Sequence, residues 1–476
     1  LYPALVKYPH ATKFAQEQVA HIGTRSYEDY WASDTAPAVS PSARDIDLYQ
    51  AQHASLYYQL MSPIYRWLWE ADDPLIAINA LRLINVLFGA GSIFIAGLVI
   101  GRILVAGPGR YILALLITLQ PLFLVNCARI ASDALAVFLG TVAISILMLL
   151  GPRRCLFGSI LAGAAYGTAV LAKTVNLSLL PFIAIVFVTL VWNRQLSAKR
   201  AAAAMCLVLL VAGAVTLDYF RFNMNHFGVL TPMQEAVDNK ADGKDFADFA
   251  RAAGQVDWLR QFRKKYTCAS LWEGGWSFLK LPRPFYSAYQ LVFAVSGLGW
   301  LLALHRDSRQ RKWLFAREGT AARLAVLCIG FLVGMAYHTV HGLVANGAKY
   351  TNIWYAAVSF PWLLCLTYQG LALLPGKWAT RIVAACTVII FVVSEAYGTL
   401  AVMVPEYTGV SWGSLARARL AQIHPPGFGP ELTIPALCLS TLLICVALAV
   451  WIHRFGSIET GLTPTGEKSR QANATS

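Results

Sequence analysis

Long apolar runs separated by short polar breaks organise this chain. A bilayer core of ~30 Å calls for about 20 apolar residues per crossing helix. Eleven runs qualify: 83–105, 111–127, 132–151, 155–173, 175–193, 201–220, 285–305, 322–344, 352–374, 379–403 and 431–453. The breaks between 111–127 and 132–151, and between 155–173 and 175–193, are very short. Three stretches are too polar to cross a membrane: 1–75, 221–284 and 404–430. Each mixes charges, aromatics and turn residues. The pattern predicts an all-α polytopic membrane protein with about eleven transmembrane helices in this chain. It divides into a first outer loop with interfacial helices (1–75), a transmembrane module (76–220) and a second large outer loop (221–284). A C-terminal transmembrane module follows (285–453, carrying the outer loop 404–430), then an inner tail (454–476).

Composition agrees and narrows the class. Hydrophobic residues make up 57% of the 476 positions and charged residues only 13%, too little charge to cover a soluble protein of this size. Disorder, a disulfide scaffold and nucleic-acid binding are excluded as main roles. Only Cys268 of the nine cysteines sits well inside a long polar segment, and no CxxC spacing occurs. The cysteines therefore read as small apolar residues rather than a zinc site or a staple.

The net charge of +14 is a topology signal. Lysine and arginine collect on the cytoplasmic side of membrane proteins. With 1–75 outside and the runs crossing alternately, the inner face receives 18 cations and 4 acids, net +14. The remaining 21 cations and 21 acids cancel, so the whole excess falls on one side with no loop out of phase. All three polar segments then lie on the extracytoplasmic face of a cell inner (plasma) membrane. The chain opens at Leu1 in a polar stretch without a signal-peptide pattern. An odd span count with an outer start predicts one more helix upstream, twelve in all.

Against positive-inside sorting, three short outer loops each carry one cation: Arg129 in NCARIASD, Lys173 in LAKTVN and Lys349 in NGAKYTN. Converging cations at one membrane face suit a phosphate or pyrophosphate group; the alternative is that long cationic side chains snorkel to the interface. Asp133 stands four residues after Arg129 at the outer mouth of a helix. It suits a general base or metal ligand, or, with Ser132, a helix N-cap. Residues 49–69 carry Tyr57, Tyr58, Tyr65, Trp67 and Trp69, as an interfacial aromatic belt does. His53 among them could ligate a metal, hydrogen-bond a substrate or simply be solvated. Trp272, Glu273 and Trp276, around a glycine pair, fit a re-entrant or interfacial turn whose aromatics stack on sugars or anchor in the membrane. Glu395 is an ionisable group inside an apolar run and hence a functional candidate. His338 and His341 share a helix end but are too few for a metal site.

Five motifs in order give the chain a family likeness: YQAQHASLYYQLMSPIYRWL, QPLFLVNCARIASDALAVFLG, YGTAVLAKTVNLSLLP, SLWEGGWSFLKLPRPFY and NGAKYTNIWYAAVSFPWLL. From about residue 8 to about residue 375 the chain resembles the C-type glycosyltransferase superfamily, polytopic enzymes that use polyprenyl-phosphate sugars. The protein-mannosyltransferase and aminoarabinose-transferase-like bacterial branch is the most similar. The resemblance implies that Asp133 is the second-loop carboxylate, that Lys173 and Lys349 contact lipid phosphate, and that His53 lines the cavity. Tyr57, Tyr58 and Tyr350 join Arg129, Trp272 and Trp276 as expected substrate contacts. Two departures stand out. The family's first outer loop opens with an acidic pair; here KYPHATKFAQEQVA places Pro9 and His10 there. His10, with an unperturbed pKa of ~6.5, can act as base; otherwise Glu17, Asp45 or Asp47 substitutes, or the protein is inactive. The second departure is HASLYY in place of HPPLYY, which loosens a turn and removes no chemical group.

The expected activity is transfer of a sugar from a polyprenyl-phosphate donor to an extracytoplasmic lipid, glycan or protein, with Asp133 or His10 as base and the cations on the leaving phosphate. Membrane lipid is the other expected partner, no nucleic acid is expected, and a divalent metal is left open. The alternatives are a transporter or flippase for lipid-linked or small polar substrates, which predicts midplane polar residues and inverted repeats, and a non-catalytic envelope protein.

Overall fold

The computed structural model describes residues 56–69, 74–103, 116, 127, 130–231, 233–263, 281–306, 319–347, 353–398 and 401. Among them there is helix and no strand. The helices are α1 (Leu56–Trp69), α2 (Pro74–Ile103), α3 (Ser132–Met148), α4 (Cys155–Ala172), α5 (Leu180–Trp192), α6 (Ala198–His226), α7 (Gln234–Ala241), α8 (Phe246–Gly254), α9 (Arg283–Arg306), α10 (Thr320–Asn346), α11 (Phe360–Ala372) and α12 (Lys377–Tyr397). A single helical turn covers Trp258–Gln261. Two tight 3-10 segments matter below: Thr174–Leu179, which leads into α5, and Ile353–Ser359, which leads into α11.

The chain is an all-α polytopic membrane protein. Among the described residues six stretches are long and apolar enough to cross a bilayer: Ala80–Ile100, Pro152–Ala172, Thr174–Trp192, Ala198–His226, Arg283–His305 and Thr320–Asn346. Ser132–Met148 and Ile382–Tyr397 are shorter apolar helices. Nine of the eleven expected spans fall wholly or largely on described residues, and each meets helix. The expected spans 111–127 and 431–453 lie largely or wholly outside them, as do all of 1–55 and all of 402–476. With 30 residues, α2 is about 45 Å long at 1.5 Å per residue, more than a bilayer core needs. Helix α6 runs to His226, past the sequence-based boundary at 220.

Small residues set the packing. A methyl on Gly163 would sit 2.6 Å from the Val208 carbonyl oxygen, and one on Gly167 would sit 2.8 Å from Val215 Cβ, so α4 and α6 meet backbone to backbone. Gly299 and Gly370 do the same for α9 and α11. There Ser296 Oγ donates to the Thr367 carbonyl at 2.9 Å and Trp300 Nε1 to the Leu366 carbonyl at 3.1 Å. Apolar attraction between helices is weak in lipid, so close approach of small residues and such hydrogen bonds hold them together. Gly319, at φ 67°, starts α10 in the left-handed region, and a side chain there would collide with Thr189.

Contacts between helix ends form at both ends of the bundle. At the end assigned outside, the start of α3 meets the end of α4 (Asp133–Lys173, 2.6 Å) and the start of α9 meets the end of α12 (Phe285–Tyr397 rings, 5.0 Å). At the opposite end, Arg323 in the first turn of α10 donates from Nε to Thr189 Oγ1 near the end of α5 at 2.7 Å. Arg323 is almost fully buried, a cation used as a fastener between helices.

Candidate functional site

The site grows from a helix break. Helix α4 ends at Ala172, and Lys173 adopts an extended conformation (φ −162°, ψ 126°) while its amide still donates to the Ala169 carbonyl at 3.0 Å. The chain then tightens into Thr174–Leu179, with the Asn176 amide donating to the Lys173 carbonyl at 3.1 Å. The buried Asn176 side chain secures the break: Nδ2 donates to the Ala169 carbonyl at 2.8 Å and to Ala136 on α3 at 3.4 Å. Asn176 thus adds a second donor to the Ala169 carbonyl, which already accepts from the Lys173 amide, and ties α4 to α3.

That tie places two charges against each other. Lys173 Nζ lies 2.6 Å from Asp133 Oδ1, with the lysine side chain 19% exposed and the aspartate side chain 4% exposed. Asp133 sits in the first turn of α3, where the helix dipole favours a negative charge. Its role is not capping: the cap position is Ala131, with no side-chain cap bond. One face of α3 carries Asp133, Ala136 and Gly140. A methyl on Gly140 would meet Val358 Cγ1 at 2.7 Å and Asn176 Oδ1 at 2.9 Å, so both 3-10 segments reach α3 because Gly140 is bare.

Tyr355, in the second 3-10 segment, completes the centre. The Lys173 ammonium lies 5.0 Å from the Tyr355 ring centroid, within cation–π range. The His338 ring of α10 packs against the same tyrosine at 4.8 Å. His338 continues a row along α10 with Gly330 and Gly334, whose bare Cα atoms allow contact with Ser178 of the first segment. A loop helix covers this end of α10. Asn239 of α7 donates to the His341 carbonyl at 3.1 Å and lies 3.3 Å from His341 Nδ1, while Tyr337 and Phe249 of α8 pack on the His341 ring at 4.3 and 4.6 Å.

On the other side of Asp133, Tyr57 of α1 is 1% exposed and accepts a hydrogen bond from Asn85 Nδ2 at 2.9 Å. Burial pushes its phenol above the ordinary value of 10.0; the Asn85 bond offsets part of this, and Tyr58 and Asp133 add to the rise. Its hydroxyl is therefore protonated at neutral pH and within the field of the Asp133 carboxylate. Tyr58 stacks edge-on against Tyr57 at 5.5 Å and is 47% exposed.

Of the expected site residues, the structure brings together Asp133, Lys173, Tyr57 and Tyr58. His10, His53, Arg129, Trp272, Trp276, Lys349 and Tyr350 lie outside the described residues. Sequence reasoning did not select Asn85, Asn176, Glu235, Asn239 or Tyr355. Asn176 and Tyr355 stood within quoted motifs, but nothing marked them above their neighbours. Glu395 lies near the end of α12, close enough to Tyr289 to act on it electrostatically. Among the described residues no group of three or more His, Cys, Asp or Glu is placed to hold a metal ion.

An oriented, half-dry ammonium beside a carboxylate, phenols and an imidazole can bind an anionic group and move a proton. No family model matches the sequence, and no curated protein matches it. The fold is similar to the crystal structure of ArnT from Cupriavidus metallidurans bound to undecaprenyl phosphate, at 13% identity and a TM-score of 0.45. The match covers 85% of this chain and 62% of that one, so the chain spans under two thirds of the length of the protein it resembles.

Proposed function

We propose that the chain is a membrane glycosyltransferase whose site lies at the outer end of the helix bundle and which takes its sugar from a polyprenyl-phosphate donor. The observation that carries this reading is the Asp133–Lys173 pair, 2.6 Å apart and mostly shielded, where α3, α4 and the Ile353–Ser359 segment converge. A buried pair of this kind contributes little net stability, which favours a chemical role. The ammonium is placed to meet a phosphate monoester or diester as negative charge builds on its leaving oxygen. Asp133 orients that ammonium. The apolar helices accommodate a prenyl chain, and the aromatic α1 and the loop 221–284 form the acceptor side. Tyr57, protonated and close to Asp133, donates to a sugar or phosphate oxygen.

Purified full-length protein in lipid nanodiscs should bind undecaprenyl phosphate and release polyprenyl phosphate from a synthetic polyprenyl-phosphate sugar. Asp133→Asn should insert normally and lose transfer; Lys173→Met should lose undecaprenyl phosphate binding. Both variants behaving as wild type would remove the site from the reaction. Binding without release from any donor would identify a lipid-binding envelope protein instead.

A further inference from the structure

The pair at Lys173 leaves open where the acceptor's proton goes, since Asp133 Oδ1 already faces the ammonium at 2.6 Å. A second set of groups meets the same Tyr355. His338 packs on that ring at 4.8 Å, and the Lys173 ammonium lies 5.0 Å from its centroid, so one aromatic side chain touches both an imidazole and the proposed phosphate site. His338 Nδ1 is buried and has no hydrogen-bond partner among the described residues. A buried ring nitrogen left unpaired is costly, and such groups in native structures call for a physical account. A hydroxyl or amine of a bound acceptor would satisfy it.

Helix α7 brings a carboxylate to the same place. Glu235 occupies its first turn. Asn239, one turn later on the same face, is the residue that fastens α7 to His341, so the docking contact turns the Glu235 side of α7 toward α10. Glu235 acts electrostatically on both His338 and His341, and Lys173 acts on His338. Among the described residues no ion pair within bonding distance joins Glu235 to either ring, so its influence is through space. The residues that act on His338 are thus Glu235, Lys173 and His341, with the Tyr355 ring packed against it at a tilt of 31°.

We propose that His338 is a catalytic residue that takes the proton from the acceptor nucleophile, and that Glu235 is a positioning residue that stabilises the imidazolium so formed. This role rests on the glycosyltransferase reading of the Asp133–Lys173 site. The acceptor's O–H or N–H proton passes to neutral His338 Nδ1 as its oxygen or nitrogen bonds to the anomeric carbon. The bond from that carbon to the phosphate oxygen breaks, and its electron pair leaves on the phosphate beside Lys173. Glycosylated acceptor and polyprenyl phosphate depart, and His338 returns its proton to solvent. Glu235, the second carboxylate at the site, arrives from the loop 221–284, whereas the sequence expectation sought it in 1–75.

The test uses the full chain in nanodiscs, a synthetic polyprenyl-phosphate sugar for turnover and undecaprenyl phosphate for binding. His338→Gln should lower turnover about 10²–10⁴-fold, the range for a removed general base, and leave undecaprenyl phosphate affinity unchanged. His338→Ala should regain rate when imidazole is added, which a purely structural histidine would not do. Glu235→Gln should lower kcat with KM unchanged, and Glu235→Asp should keep most of the rate. Full turnover in His338→Gln alongside defective Lys173→Met would overturn the proton role and leave the reading of the site standing. Loss of both binding and turnover in His338→Gln, with no imidazole rescue of His338→Ala, would also overturn it. Wild-type protein that neither binds undecaprenyl phosphate nor releases it from a donor overturns the glycosyltransferase reading and this role with it.

Discussion

The two 3-10 segments use one backbone device with opposite chemistry. Each follows a helix that runs to the end assigned outside, each tightens before the chain turns back, and each is followed by a helix with proline in its first turn, Pro181 in α5 and Pro361 in α11. Each packs against α10. The first is polar where it turns: Lys173 reaches Asp133, and Asn176 spends its amide on two helix carbonyls. The second is small and apolar: Ala356, Ala357, Val358 and Ser359 are all buried, and Trp362 follows in the core. Its inward-facing polar bond is local, Ser359 Oγ donating to Ala356 at 2.7 Å. One segment is therefore held by charge and hydrogen bonds, the other by volume. The polar one presents the ammonium and the apolar one presents Tyr355, the ring beneath it.

This difference predicts different repair rules. Lys173→Met leaves the shielded Asp133 carboxylate without its ammonium and should cost about 3–5 kcal/mol. Adding Asp133→Asn should recover most of that stability without restoring undecaprenyl phosphate binding. Trp362→Ala should cost a comparable ~3–5 kcal/mol, with no single partner change that recovers it. Unfolding of the detergent-solubilised variants decides the matter; a double mutant no more stable than Lys173→Met would show that the first segment is held by packing after all.

Gly140 is where the two segments converge on α3. A methyl there would sit 2.7 Å from Val358 and 2.9 Å from Asn176, and overpacking of this kind typically costs about 1–3 kcal/mol. Gly97 of α2 has open space around it, so Gly97→Ala should instead stabilise by about 0.5–1 kcal/mol. Melting temperatures should move in opposite directions. Gly140→Ala should also reduce undecaprenyl phosphate binding, because it separates Asp133's helix from Lys173's.

The crossings on described residues were legible from apolar runs, because hydrophobic length is a one-dimensional quantity. Asp133 and Lys173 were legible singly, as charges out of place near outer helix ends. Their partnership was not, since 40 residues separate them and only the Asn176 tie and the bare Gly140 bring them together. Tyr355 looked like one aromatic among many in a membrane protein. Glu235 carried no signal, because a single acid in a polar loop is ordinary until the contact between Asn239 and His341 places its helix. Patterns of one residue type survive projection onto sequence; a site assembled from unlike residues across four helices does not.

A finer contrast separates the two polar fasteners. Asn176→Ala loses two hydrogen bonds, to Ala169 and Ala136, and should cost about 1–3 kcal/mol, whereas Ser359→Ala loses one local hydrogen bond worth about 0.5–1.5 kcal/mol. The Asn176 variant should also shift Lys173, so undecaprenyl phosphate binding should fall with stability; in Ser359→Ala stability alone should move. Equal effects on binding would mean that both segments, not the polar one alone, set the lysine.

The smallest expected effect tests whether the segments communicate through Tyr355. A cation over an aromatic ring is worth about 1 kcal/mol when partly shielded, and Lys173, at 19% side-chain exposure, is in that regime. Tyr355→Phe keeps the ring at its stations against both Lys173 and His338, so the coupling to Lys173 should persist. Tyr355→Leu keeps bulk but removes the π face, so the coupling should vanish. A double-mutant cycle with Lys173→Met, read in unfolding free energy, isolates it from the Asp133 pair, which both arms share. A coupling near zero with the ring intact would reduce Tyr355 to a spacer and make the ammonium's position the work of Asp133 and Asn176 alone. A coupling of about 1 kcal/mol that disappears in the leucine variant would establish that the apolar segment helps aim the charge delivered by the polar one.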